Sequence, residues 1–154
     1  MSLKSVLLVI SCVLVAGVGI PRGQRKSDRD LLQGSWSIVG KEFMGKKAAR
    51  EELEKLKGDM VVQGTSVTQW AVEAGKRFVV SKATWKIDPK ARPKRLDLTY
   101  TAGDLKGEKS LAIYELKGDT LRVCYSMKDE PRPTEFAGKP DGKALLLTYK
   151  RVKK

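Results

Sequence analysis

Leu111-Ala112-Ile113-Tyr114-Glu115-Leu116-Lys117-Gly118-Asp119-Thr120-Leu121-Arg122-Val123-Cys124-Tyr125 is the stretch that decides the fold. Two alternating apolar runs flank Gly118-Asp119, a dipeptide suited to a two-residue hairpin turn. Placing that pair at the turn sets Leu116 opposite Leu121, Tyr114 opposite Val123 and Ala112 opposite Tyr125. All six then share one face, which is the expected core face. On the other face Glu115 meets Arg122, a cross-strand charge pair worth ~0.2–1 kcal/mol. A one-residue slip would set Leu116 against Arg122, so the pattern specifies its own register. Ile113 and Cys124 fall on the outer face and predict that this face is partly covered.

The same alternation continues outward along the chain. Leu145, Leu147, Tyr149 and Arg151 share a face, as do Leu96, Leu98 and Tyr100. Strands are expected over 35–43, 60–63, 67–72, 77–87 (with room for a bulge), 95–101, 110–116, 120–127 and 143–152. Gly, Asp and Pro punctuate the intervals. Residues 48–58 are rich in strong helix formers, with acids early, lysines late and Gly58 placed for a C-cap. Only Leu53 and Leu56 give this helix an apolar stripe, which suits a lid or connector. Eight short strands with alternating faces point to an antiparallel barrel or sandwich and away from a βαβ fold.

The first residues are different in kind. Lys4 is the only charge before Arg22, and Val6 to Ile20 is almost wholly apolar. A basic start, a short apolar run and small residues after it describe an export signal, with cleavage expected after Gly17 or Gly19. An uncleaved anchor would need about 20 apolar residues. A lipid-modified Cys12 would leave a very short apolar run before it. The expected organisation is a signal over 1–19, a flexible basic leader over 20–29 and one domain over 30–154. The localisation expected is periplasmic or extracellular. Removing 19 of the 154 residues leaves 135, and Cys124 becomes the lone cysteine of the pair. A buried thiol is then the expectation.

Composition narrows the chemistry. The chain holds no His, so no imidazole base and no His-containing metal site can form. It holds no Asn, so no N-glycosylation acceptor exists. No nucleophile elbow, phosphate loop or metal-spaced carboxylate cluster is present. Glu115 and Glu135 could in principle form an acid/base pair, but Glu115 is better accounted for by Arg122, and Glu135 could equally pin its own loop through Arg132. No catalysis, cofactor or metal is expected.

Gly34-Ser35-Trp36 opens the first strand after Asp30-Leu31-Leu32-Gln33. Further on come Ile87-Asp88-Pro89-Lys90, Arg95-Leu96-Asp97-Leu98-Thr99, Ile113-Tyr114-Glu115-Leu116 with Gly118-Asp119-Thr120-Leu121, and Arg132-Pro133-Thr134-Glu135-Phe136. In this order the fragments resemble a lipocalin-like family of small exported proteins found mainly in planctomycete bacteria. The resemblance runs from about Asp30 to Arg151. It implies an eight-stranded antiparallel lipocalin-like barrel, with one short helix between the first two strands, and implies no activity. It also implies that Trp36 packs at the closed end of the barrel under a late basic side chain. Arg151 is the candidate for that base.

A barrel of eight strands either packs solid or holds one small ligand. The candidate lining residues are Trp70, Trp85, Tyr100, Tyr114, Tyr125 and Tyr149, which would suit an apolar or amphipathic molecule. The charge of +13 is concentrated. Lys76, Arg77, Lys82, Lys86, Lys90, Arg92, Lys94 and Arg95 lie within 20 residues against one acid, Asp88. On the expected strand, Val79, Ala83, Trp85 and Ile87 share one face and Lys82, Thr84 and Lys86 the other. The resulting basic lane suits an anionic envelope surface. It lacks interleaved aromatics for base stacking, so nucleic acid is not the expected partner. The expected state is a monomeric binding module. The alternative is a filled barrel that associates through its lane.

Overall fold

The computed structural model describes residues 26–56 and 58–153; the expected signal and most of the expected leader lie outside them. The elements run α1 (Asp28–Leu32), β1 (Gly34–Phe43), β2 (Lys46–Lys47), α2 (Arg50–Leu56), β3 (Asp59–Gln63), β4 (Ser66–Glu73), β5 (Lys76–Asp88), β6 (Lys94–Gly103), β7 (Lys109–Lys117), β8 (Thr120–Ser126) and β9 (Ala144–Arg151). All pairings are antiparallel between chain neighbours, and β9 returns to pair with β1. The result is a closed eight-stranded barrel, with β2 a two-residue extension beside β1. Closure satisfies the edge groups that an open sheet would leave bare.

The hairpin that decided the fold has the expected register. Ala112 faces Tyr125, Tyr114 faces Val123, Glu115 faces Arg122 and Leu116 faces Leu121. At its turn Gly118 takes φ +56° while Asp119 does not, which is why Gly stands first. The outer face is covered, as expected. Ile113, Cys124, Ala144 and Leu146 form a small second core with Phe136. Arg132 from the β8–β9 loop donates to the carbonyls of Leu96 and Ala112 and to Asp97, and so fastens that loop to the wall. Gly138 lies so close to the Glu42 backbone that a Cβ would collide with it. Glu135, for which the sequence leaves Arg132 as one of two open partners, reaches Lys139 at 3.1 Å.

One end of the barrel is closed. The α1 helix lies across it and inserts Leu32 into the core. This helix begins inside the stretch expected to be a flexible leader. A capping box explains it: the Ser27 hydroxyl accepts from the Asp30 amide, and the Asp30 carboxylate accepts from the Ser27 amide. Trp36 is fully buried beneath and donates its indole N–H to the Leu32 carbonyl at 3.0 Å. The Arg151 guanidinium stacks 4.2 Å from the Trp36 ring, as the sequence led us to expect. It also donates to the carbonyls of Gln33 and Leu31 and approaches Asp119.

The β5 strand departs from its expected faces. Gln69 pairs with Ser81 but Trp70 pairs with Val79, so Val80 is an extra residue. This bulge reverses the alternation. Ser81, Ala83 and Trp85 point inward, whereas Val79 falls outside with the exposed residues rather than with the core.

Two tryptophans allow a test of this packing. Trp36→Phe removes an indole hydrogen bond and weakens the Arg151 stack, worth ~0.5–2 kcal/mol. Trp85→Phe removes a buried N–H that has no partner among the described residues. Thermal denaturation should show the larger drop in midpoint for Trp36→Phe. Equal drops would mean that the closed-end contacts carry no special weight.

Candidate ligand site at the barrel mouth

The six aromatics proposed to line a ligand site are not brought together. Trp70 shares a strand face with Thr68, opposite to the inward Val67 and Gln69. It is therefore on the outer wall, with the Arg77 guanidinium 4.2 Å over its ring. Arg77 is held there by Asp59 at 3.7 Å. Trp70 is corrected as a lining residue for this reason.

Trp85 and Tyr114 lie in the closed half of the barrel. The void beside them is only about 30 Å³, walled by residues such as Leu32, Val67, Leu98 and Val123. That is room for about one water molecule, well short of the ~300 Å³ at which ligand sites begin. The closed half is filled core. Trp85 lies under Arg29, whose guanidinium is 5.7 Å from the ring.

Tyr114 has a defined structural partner. Its hydroxyl donates to Asp28 of α1 at 2.7 Å, and Lys94 donates to the same carboxylate oxygen at 2.7 Å. Lys94 shares its face of β6 with Leu96 and Leu98, so it points inward. It is corrected as a surface-patch residue, since its charge is spent on this latch. Burial alone would raise the Asp28 carboxyl, but the hydrogen bonds from Lys94 and Tyr114 and the Lys94 charge together hold it below its ordinary value. Burial, then the Asp28 bond and charge, push the Tyr114 hydroxyl far upward.

The other end of the barrel is open, and here a real cleft exists. It has a volume of about 350 Å³, and its walls include Tyr100, Leu105, Tyr125, Met127, Leu145 and Leu147. Tyr125 and Tyr149, both buried, meet hydroxyl to hydroxyl at 3.2 Å below it. One hydroxyl donates to the other, which leaves the acceptor's own proton unspent in that pair. Burial raises both hydroxyls, so they stay protonated. Gln69 at the same mouth accepts from the Ser81 hydroxyl at 2.8 Å, and its amide N–H groups have no protein acceptor among the described residues. The cleft thus offers an apolar floor over the tyrosine pair, with Gln69 and the charged Glu108, Lys109 and Lys128 on its walls. Two of the six expected aromatics, Tyr100 and Tyr125, line it, and Tyr149 lies beneath, in contact with the Tyr125 hydroxyl.

The basic lane is also redistributed. Lys76 and Arg77 stand at the mouth end of β5, and Lys90 and Arg92 in the loop at the closed end. A 13-residue strand separates them by about 40 Å. Arg92 donates to the carbonyls of Pro89, Lys90 and Ala91 and so braces its own loop. Lys82, Lys86 and Arg95 lie exposed on the wall with no acid within 4 Å among the described residues. Cys124 is buried as expected, and burial raises its thiol. Among the described residues no three acidic or Cys side chains gather to hold a metal ion. No helix of the described residues is long and apolar enough to cross a membrane.

Two residues escaped the sequence reading. Asp28 was assigned to the leader, although Ser27-x-x-Asp30 marks a helix start around it. Gln69 carried no signal beyond alternation with Val67. Comparison with protein-family models gives no match, and comparison with curated protein sequences gives none either.

The latch makes a pH prediction. The Asp28 carboxyl is lower in the folded chain than in the unfolded one, so its ionised form adds stability at neutral pH. That contribution vanishes as pH falls from about 4 through the folded value. Asp28→Asn should therefore lower the melting midpoint at pH 7 by a few degrees. The gap to the parent should close by about pH 2, and a gap independent of pH would show that the carboxylate charge is not involved.

Proposed function

We propose that the protein is an exported, monomeric, lipocalin-like binding module that holds a small amphipathic molecule at its open end. The observation that carries this reading is the cleft of about 350 Å³ beside Tyr100 and Tyr125. Its volume suits a small ligand or one end of a longer one. Its floor is apolar, and the donors supplied by the tyrosine pair and by Gln69 suit a carbonyl, carboxyl or similar acceptor group. The molecule lies at the mouth and not along the barrel axis, because Trp85, Tyr114 and Leu32 occupy the inner half. The module is non-catalytic, in keeping with a chain that has no His. Export rests on the apolar segment Val6 to Ile20.

Native mass spectrometry of the protein from its own host, paired with binding of a fluorescent fatty acid, tests the proposal. A bound mass in the range of a small amphipath is expected. Leu145→Trp, which fills the floor, should weaken probe binding at least tenfold, while Tyr114→Phe at the closed end should leave it unchanged. Equal binding by Leu145→Trp and the parent would remove the mouth as the site.

A second reading has its own observation. Lys82, Lys86 and Arg95 form an exposed basic wall that has no acid partner within 4 Å among the described residues. We propose that this wall favours an anionic envelope surface. Reversing Lys82 and Lys86 to Glu should weaken retention on an anionic surface at low salt, and more so than reversing Lys117 and Lys153, which already contact acids. Equal losses would reduce the effect to net charge.

A further inference from the structure

The β4–β5 hairpin is longer than the barrel that bears it. On one side β3 pairs with β4 only as far as Asp59–Trp70. On the other, β6 pairs with β5 only as far as Gly103–Ser81. Gly103, at φ +89°, ends β6 there, and a Cβ on it would collide with the Val80 carbonyl. Residues 71–80 therefore continue past the wall as a two-stranded ribbon with no strand partner on either side. Such ribbons are marginal alone, and bare apolar edges are normally avoided.

This ribbon is apolar where it is bare. Phe78, Val79 and Val80 are 43%, 37% and 45% exposed. Three successive residues of a strand face both ways, so neither surface of the ribbon is hidden. The run is bracketed by Lys76 and Arg77 before it and by Lys82 and Lys86 after it. No acid occurs on β5 until Asp88. Glu73, across from Lys76, is the one acid on the ribbon. Other exposed apolar side chains stand at the same end. Met44 is on the β1–β2 turn, Leu105 on the β6–β7 turn and Met127 just after β8. Lys46, Lys47 and Lys106 accompany them. Acids are present too, among them Asp104, Glu108 and Asp129, with Glu108 taken up by Lys128 at 2.6 Å.

From this placement we infer that the open end docks on an anionic lipid bilayer, with the 71–80 ribbon as the inserting element. Phe78, Val79 and Val80 enter the headgroup boundary, and Lys76 and Lys82 meet the phosphates, while Arg77 stays over Trp70 beside Asp59. Charge complementarity selects the occupant, since the apolar run is bracketed by cations. Distribution selects it as well. A strand added to the ribbon edge would cover Phe78 to Val80 but would leave Met44, Leu105 and Met127 bare. An extended surface met end-on covers all of them. Apolar insertion and electrostatic attraction are the two terms that hold peripheral elements on membranes. The inference stands independently of a ligand in the mouth.

Vesicle flotation with the full chain tests it, using phosphatidylcholine vesicles with and without 30% phosphatidylglycerol. Every variant keeps the same N-terminus, so the apolar segment before residue 26 contributes equally throughout. Phe78→Ser with Val80→Ser should lower partition into the anionic vesicles at least fivefold, with unchanged far-ultraviolet circular dichroism. An environment-sensitive dye on Val79→Cys should shift to the blue on anionic vesicles, and the same dye on Thr99→Cys, on the outer wall, should not. The shift at position 79 should persist in part at 0.5 M salt. Three results would overturn the proposal. One is equal flotation by the double Ser variant; another is a dye shift no greater at 79 than at 99. The third is a ribbon-dependent dimer in sedimentation analysis without a dye shift on vesicles, which would assign the edge to a second copy. Loss of probe binding in Leu145→Trp with normal flotation would separate the mouth from the ribbon.

Discussion

The Arg151 guanidinium is the contact on which the closed barrel depends. It lies over Trp36 and donates to two carbonyls at the end of α1. It also approaches Asp119 in the β7–β8 turn. A single planar cation therefore joins the first strand, the last strand, the plugging helix and a hairpin turn. A barrel closes only if its first and last strands meet, and the sequence distance between them makes that pairing the most costly in loop entropy. Arg151 and Trp36 are direct neighbours in the β1–β9 ladder. Lysine could not substitute fully, because its ammonium cannot stack as a plane while forking to several acceptors.

The two halves of the barrel follow from what fills them. Towards α1 the core receives Leu32, Trp36, Trp85 and Tyr114 and closes on a void of about 30 Å³. Towards the mouth the inward positions pass to Gln69, Ser81 and Ser110, which are small or polar. Small residues leave space, and polar ones require partners. A cleft with donors at its margin results from the same alternation that packs the other end solid.

Period-two alternation made most of the architecture legible. It was strongest where one face was uniformly apolar, as in the hairpin from Leu111 to Tyr125. Its register and even the covering over Ile113 and Cys124 could be read directly. Trp36 and Arg151 were legible through a family resemblance. Reading failed where both faces of a strand looked alike. In β4, Val67 and Trp70 are both large and apolar but face opposite ways, and only the inward Gln69–Ser81 bond settles which. In β5 the extra Val80 flips the alternation, and no local composition marks the bulged residue. Lys94 was misread because proximity in sequence to other bases says nothing about face. Its inward position follows from pairing with Tyr114.

The helix α1 and the end of β9 lie together, since Arg151 reaches the carbonyls of Leu31 and Gln33. The mouth, by contrast, is built from connections between strands, of which the one between β2 and β3 carries α2. The molecule therefore has a closed end that serves as a handle and an open end. Both ends of the described chain, Ser27 with α1 and Lys153 beside Asp119, lie at the handle. Changes at the closed end and changes at the mouth are mechanically separate, because the contacts of Arg151 all lie at the closed end.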